Sequence, residues 1–293
     1  MSTKTNAVKY ALGCEVLSDV NQLNTLNVGD IFVEPLFFKE QTEAEFETCI
    51  AILKAWPARK VLLCSEMEVL RWSGEKASKI TESVDEIYAS CWYQKNLMET
   101  IGIHAQKVVY EPVNAHLFFP AQKSESVIAI GSPTLVKNVE ALITIFADLE
   151  GSGLQRIYIG GPTVWGQLTG MKNESAFDYI MKKHEALKAV SDVYYGPSSQ
   201  TFIAYMLSKA KYYLNFAYHE TCCRTAMEAL LSGTGILAGK HPLFSEYPCV
   251  ASGLSPDECI EHLKAMPEVP ETRQWALENV SYSAFYKNVV GTP

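Results

Sequence analysis

What the 293-residue chain lacks narrows its class before any motif is considered. Its eight cysteines, at 14, 49, 64, 91, 222, 223, 249 and 259, form no C-x-x-C pair and no other zinc-ligand spacing. A zinc ribbon and a C-x-x-C redox motif are thereby excluded. Several cysteines stand inside apolar runs, as Cys64 does in VLLCSE, where a buried free thiol is the usual occupant. That usage fits a cytoplasmic protein. No run of about 18 apolar residues suggests a membrane span, and the opening MSTKTNAVKYALGCE lacks the apolar stretch of a secretion leader. Basic clusters are missing too. The net charge is -8, and the short KKHEALK around Lys182 carries its own glutamate, so nothing attracts polyanions globally. Internal repeats and low-complexity tracts are absent. What remains, 48% hydrophobic and 20% charged residues, is the composition of an ordinary globular protein long enough for two domains.

The chain alternates strand and helix signals. Residues 8 to 17 give a weak first strand, and Asp30 to Phe38, DIFVEPLFF, a better one. Glu43 to Trp56 places Phe46, Ile50 and Leu53 at helical spacing before Pro57 stops it. Strands follow at Lys60 to Cys64, Asp85 to Ala89 and Lys107 to Tyr110, with a helix from Trp92 to Ile101 closed by Gly102. The proline-punctuated EPVNAHLFFP marks a domain boundary. Beyond it, strands are expected at Val127 to Gly131, Arg156 to Gly160, Val193 to Tyr195, Lys211 to Ala217 and Ile236 to Ala238. Helices are expected over 138–149, 174–190, from Ser199, up to Leu231, and over 270–289. Such alternation argues for doubly wound parallel sheets, an α/β protein.

The stretch Tyr218 to Gly233, YHETCCRTAMEALLSG, sets two glutamates eight positions apart where strand and loop give way to helix. If Thr221 or Cys222 opens the helix, its first-turn amides and dipole favour an anion. Glu228 would then lie on the flank of that helix, about 10 Å from Glu220 at 1.5 Å per residue. Carboxylates at both ends of an anion site suit an elongated ligand with hydroxyls at both ends and phosphate between, such as a nucleotide-sugar.

With these pieces in order, the chain resembles the GT-B glycosyltransferases, specifically the large retaining family marked by Glu, seven residues, Glu. The resemblance runs through the Asp85 to Pro120 strand, helix and linker, through IAIGSPTLVKNVEALITIF, RIYIGGP, YYGPSSQTFIAYML and the motif, and into the aromatic C-terminal helix. It implies two Rossmann-like domains facing across a cleft. These would be an acceptor-side domain over 1–115, a nucleotide-sugar domain over 116–268, and a helix over 269–293 packing back on the first. It also implies a UDP- or GDP-hexose co-substrate, UDP-glucose for instance, and no obligatory metal or other cofactor; no Asp-x-Asp stands at a strand end.

Carried over residue by residue, Glu220 would face the transferred sugar, Glu228 the ribose hydroxyls and Lys137 the diphosphate. Gly131, Ser132, Gly161, Gly196, Thr221, Cys222 and Cys223 would line the donor. Ser132 stands where the family usually has arginine, and Arg224 is a candidate to replace it. Cys222 and Cys223 stand where an aromatic residue and glycine are usual. The first half lacks a clear Gly-Gly loop, with Gly13 the nearest candidate. Glu66 and Glu68, after VLLC, are candidates for an acceptor-side acid or base, and His219 for an active-site role. The expected activity is transfer of a hexose from a nucleoside diphosphate sugar to an acceptor hydroxyl. Compact members of this fold include viral and phage enzymes that glycosylate modified DNA bases, so DNA joins small molecules, glycans and proteins among the expected acceptors. Two alternatives stay open: a nucleotide-sugar epimerase of the same architecture, and an inactive GT-B module serving in binding or assembly.

Overall fold

The structure, a computed structural model, describes residues 30–33, 42–64, 74–162 and 173–291, without the side chains of 173–176. The expected strand over 8–17, Gly13, Glu66 and Glu68 lie outside the described residues, as does the rest of DIFVEPLFF beyond Val33. The chain forms two compact units, Met1–Val113 together with Asn279–Pro293, and Asn114–Glu278.

In the first unit, β1 (Ile31–Val33), β2 (Lys60–Cys64), β3 (Glu86–Ala89) and β4 (Lys107–Val108) pair in that order, all parallel. Helix α1 (Glu43–Ala55) starts at a capping box, in which the Thr42 side chain accepts from the Glu45 N–H and the Glu45 carboxylate from the Thr42 N–H. Helices α2 (Gly74–Thr81) and α3 (Trp92–Thr100) complete the described crossovers. The uninterrupted apolar run of β2 has a direct cause, since both faces of its sheet are covered. Leu62 and Cys64 pack with Phe46, Ile50, Leu53 and Ile80 on one side. Val61 and Leu63 point to the other, where Tyr88 and Val109 also lie.

The second unit holds six parallel strands in the order β10-β9-β8-β5-β6-β7. They are β5 (Ser124–Ile130), β6 (Gln155–Ile159), β7 (Val193–Tyr195), β8 (Ala210–Asn215), β9 (Gly235–Gly239) and β10 (Ala251–Leu254). Between them run α4 (Val139–Asp148), α5 (Asn173–Ala189), α6 (Gln200–Lys209), α7 (Arg224–Leu231) and α8 (Pro256–Ala265). From β5 the chain winds outward through β6 and β7, then returns to the other side of β5 for β8 to β10. That reversal makes the β5/β8 boundary a topological switch point, the place where open parallel sheets bind ligands at their carboxyl ends.

Several expectations change, and the strand expected over Lys107 to Tyr110 ends at Val108. The motif helix opens at Arg224 rather than at 221 or 222, because Cys223 has the non-helical backbone of a cap (φ -75, ψ 86). The strand expected to reach Ala217 ends at Asn215. The helix expected over 270–289 is two, α9 (Arg273–Asn279) and α10 (Tyr282–Val289). Ser281 breaks it by capping α10, its hydroxyl accepting from the Ala284 N–H at 3.1 Å, while the Val280 carbonyl accepts from the Val113 N–H at 2.8 Å. Phe285 and Val289 of α10 fill the first unit's second core face with Val61, Leu63 and Tyr88. Arg59 fixes the end of that helix by donating to the Val289 carbonyl at 2.9 Å.

Candidate functional site

All strands of the second sheet are parallel, so the residues that follow β5 to β9 share one edge. After β5, Gly131 takes φ +135, a left-handed backbone that a side chain would strain. Its carbonyl lies so close to Gly160, after β6, that a Cβ there would collide with it. Tyr158 secures this turn, its hydroxyl donating to the Gly131 carbonyl at 3.3 Å, backed by the His184 ring at the far side of the same hydroxyl. Gly161 packs against Pro197, beside Gly196, so the β6 and β7 ends are also in register. Ser132, Pro133, Lys137 and Tyr158 help to line a small cavity of about 20 Å³ behind the turn, enough for a single water by the usual criterion.

Lys137 ends a 3-10 turn, Leu135–Lys137, and Asn138 follows in the left-handed region (φ 50, ψ 52) before α4 begins. Asparagine tolerates that conformation better than most residues. The turn is bound to the β8 loop: the Tyr218 N–H donates to the Val136 carbonyl at 2.8 Å. This places the Lys137 ammonium in direct ion-pair contact with a carboxylate oxygen of Glu220. The first strand of the unit and the fourth thus meet through one cation and one anion, at the switch point.

Glu220 is buried to 9% exposure and held from several sides. Asn215, the polar residue that ends the apolar β8, sets its amide nitrogen within reach of Glu220 Oε1 (3.4 Å), Cys223 Sγ (3.0 Å) and the Tyr213 hydroxyl (3.2 Å). Two amide protons serve at most two of these at once. The Glu220 backbone N–H lies 3.2 Å from His241 Nε2. His241 is buried after β9, and burial lowers it below the ordinary histidine range, against the opposing pull of Glu220.

Glu228 is buried on α7, where Oε1 accepts from Arg224 Nε and Gln200 Nε2, both at 3.3 Å. Arg224 Nη1 is buried and has no hydrogen-bond partner among the described residues. Thr221, Cys222 and Cys223 are buried between the two glutamates. Cys223 is pushed up to about 12 by burial, so its thiol is inert at neutral pH.

The C-terminal end of α7 is as elaborately held as its start. Gly233 (φ +64) ends the helix in a Schellman motif, with the Thr234 N–H donating to Ala229 O at 2.9 Å and the Gly233 N–H to Leu230 O at 3.1 Å. Three successive carbonyls also receive side-chain donors: Leu230 from Thr272 Oγ1, Leu231 from Arg273 and Ser232 from Lys123. Burial pushes Lys123 down to about 8, while acceptors at Leu207 O, Ser232 O and Thr234 Oγ1 hold it as the ammonium. Two cations at the negative pole, Lys123 and Arg273, complement the helix dipole.

Of the expected site residues, the structure brings together Gly131, Ser132 and Lys137 on one loop with Glu220 to Arg224 and Glu228 on the next. Gly161 and Gly196 stand further along the same edge. His219 is exposed, and the imidazole that meets the Glu220 backbone N–H is that of His241. Asn215, Gln200 and His241 were not singled out from sequence. Asn215 carried a signal, as a polar residue closing the apolar YYLN, and His241 a fainter one in GKHP at a strand's carboxyl end.

This two-unit α/β architecture is the GT-B glycosyltransferase fold. Among solved structures, HepE from Anabaena, in complex with UDP and glucose, superimposes with a TM-score of 0.65 at 12% identity, covering 98% of this chain and 80% of that one. HepE with UDP-glucose gives 0.65 at 11% identity over 89% and 77%. Sucrose-phosphate synthase from Thermosynechococcus elongatus gives 0.65 at 12% identity over 89% and 72%, and a glycosyltransferase from Rickettsia africae 0.63 at 11% over 99% and 82%. No protein-family model matches the sequence, and no curated protein does.

Proposed function

We propose that the carboxyl edge of the second sheet binds a nucleoside diphosphate sugar, and that the protein is a retaining glycosyltransferase moving a hexose from that donor to an acceptor hydroxyl. The observation that carries this reading is the meeting of Lys137 and Glu220 at the switch point, with Glu228 one helix face further on. An ammonium seated beside a carboxylate can exchange onto a diphosphate, and the carboxylate then accepts from sugar hydroxyls. Glu228 accepts from the ribose diol at the other end. Arg224, in the first turn of α7, supplies the second cation that Ser132 does not.

As the bond from the sugar carbon to the diphosphate breaks, its electrons pass to the leaving oxygen. Lys137, Arg224 and the positive pole of α7 stabilise that charge in a preorganised way. The leaving phosphate oxygen takes the proton of the acceptor hydroxyl, which bonds to the sugar on the face the phosphate leaves. No protein nucleophile is needed. The UDP and UDP-glucose complexes of HepE support a uridine nucleotide as the first donor to test, with GDP-hexoses next.

Thermal shift and nucleoside diphosphate release, measured against UDP-, GDP-, ADP- and TDP-sugars, decide the matter. One nucleotide class should raise the melting temperature and be turned over once an acceptor is supplied from small-molecule, glycan, protein or hydroxymethylated-DNA panels. No shift with any of the four classes would sink the reading.

A further inference from the structure

We propose that His241, as a neutral imidazole accepting through Nε2, is the positioning residue for Glu220, and that proton binding at this ring releases the Glu220 loop. The proposal rests on the site reading above and deepens it.

His241 stands two residues after β9, at the N-cap position of the 3-10 turn Pro242–Ser245. Its ring faces a backbone donor on each side: the Leu243 N–H lies 3.2 Å from Nδ1 and the Glu220 N–H 3.2 Å from Nε2. A neutral imidazole has one lone pair and one N–H, and an imidazolium has no lone pair at all. The ring therefore serves one of these donors at a time when neutral and neither when charged. Capping a turn at Leu243 is a task that any short polar side chain performs. Holding a residue 21 positions away in sequence is not. With the proton on Nδ1, Nε2 accepts from the Glu220 amide and fixes the backbone from which that carboxylate reaches Lys137.

Among the described residues, charged and titratable groups that face the ring include Glu220 and His219 from the β8 loop and Lys137 from the β5 loop. Phe244 of its own turn packs edge-on at 6.2 Å. Burial, His219 and Lys137 oppose protonation and Glu220 favours it, with burial foremost. At neutral pH the acceptor is in place. As the pH falls through the value at which the ring protonates, an N–H⁺ comes to face the Glu220 N–H, and the clamp becomes a repulsion.

Two variants separate the ring's two edges. In His241→Gln the side-chain oxygen can take the place of Nε2, and in His241→Asn that of Nδ1. His241→Asn should lose about tenfold in kcat, the scale of one lost net hydrogen bond, while keeping its melting temperature near that of the parent. His241→Gln should restore turnover to within about threefold and abolish the acid-limb inflection of the kcat profile. Equal turnover in the two variants, or an unchanged acid limb in His241→Gln, would overturn the proposal. A readout independent of turnover keeps it separate from the glycosyltransferase reading: in the nitrogen-15-labelled parent, the Glu220 amide resonance should titrate together with the His241 ring, and that inflection should vanish in His241→Gln. If no nucleotide-sugar binds but the two titrate together, the activity assignment fails and the positioning role stands. If they titrate independently, the positioning role fails whatever the enzyme does.

Discussion

A glutamate held by a lysine, an asparagine and a backbone clamp is costly to disturb, and the consequences differ by residue. Lys137→Ala should lower kcat by about 10²- to 10³-fold, the usual loss when one preorganised charge-stabilising donor is removed, with the circular dichroism spectrum unchanged. Arg224→Ala should weaken donor binding in isothermal titration. It also leaves the buried Glu228 carboxylate without the cation one turn away. If donor affinity and turnover survive Arg224→Ala intact, Arg224 does not stand in for the arginine absent at 132. At this scale the sequence was readable where chemistry is local. Glu220 and Glu228 were singled out by spacing and by resemblance and Lys137 by resemblance, and the structure sets Lys137 against Glu220. His241 was not, because its contact with Glu220 is one between loops that only the strand order of the sheet creates.

The motif helix shows how an element is tied down at its carboxyl end. Thr272, Arg273 and Lys123 reach the last carbonyls of α7 from sequence positions far from one another. Arg273 also donates to Phe118 O at 2.8 Å and Ala115 O at 3.3 Å. Arg273→Ala should cost about 1–3 kcal/mol, the penalty for leaving buried acceptors unserved, read as a lower urea midpoint with an unchanged slope. Elements with clear starts or stops, such as β2, β7 and the start of α6, were legible to within a residue or so. Helix α8 was overlooked although Ser255, Pro256 and Glu258 spell a capping box with proline at its first position. Helix α2, GEKASKIT, was hidden by weak patterning, with only Ala77 and Ile80 buried. The break between α9 and α10 lay in Ser281, a capping residue inside an otherwise continuous aromatic pattern.

For the molecule as a whole, burial of two histidines sets a direction for acid stability. His184 and His241 are each lowered by burial, so the unfolded chain binds protons that the folded chain refuses. Stability is therefore greatest above the ordinary histidine value of about 6.5 and declines as the pH falls below it. The urea midpoint should be lower at pH 5 than at pH 7.5. The first unit depends in turn on the last helix. Phe285→Ala removes a ring that is 3% exposed among Val61, Leu63 and Tyr88, and should cost about 3–5 kcal/mol, with loss of hydrogen-exchange protection across β2 and β3 while β5 and β8 keep theirs.

The same dependence has a consequence for synthesis on the ribosome. The second unit is one continuous stretch, Asn114–Glu278, set between the two segments of the first. Chains emerge N-terminus first, and domains fold as units while they do so. The second unit can therefore close while the first sheet still waits for Phe285 and Val289 to cover its open face. Until those residues leave the exit tunnel, Val61, Leu63 and Tyr88 form an apolar surface suited to chaperone capture. Released chains truncated after Glu278 should then be protease-resistant from Asn114 onward and cut readily before it.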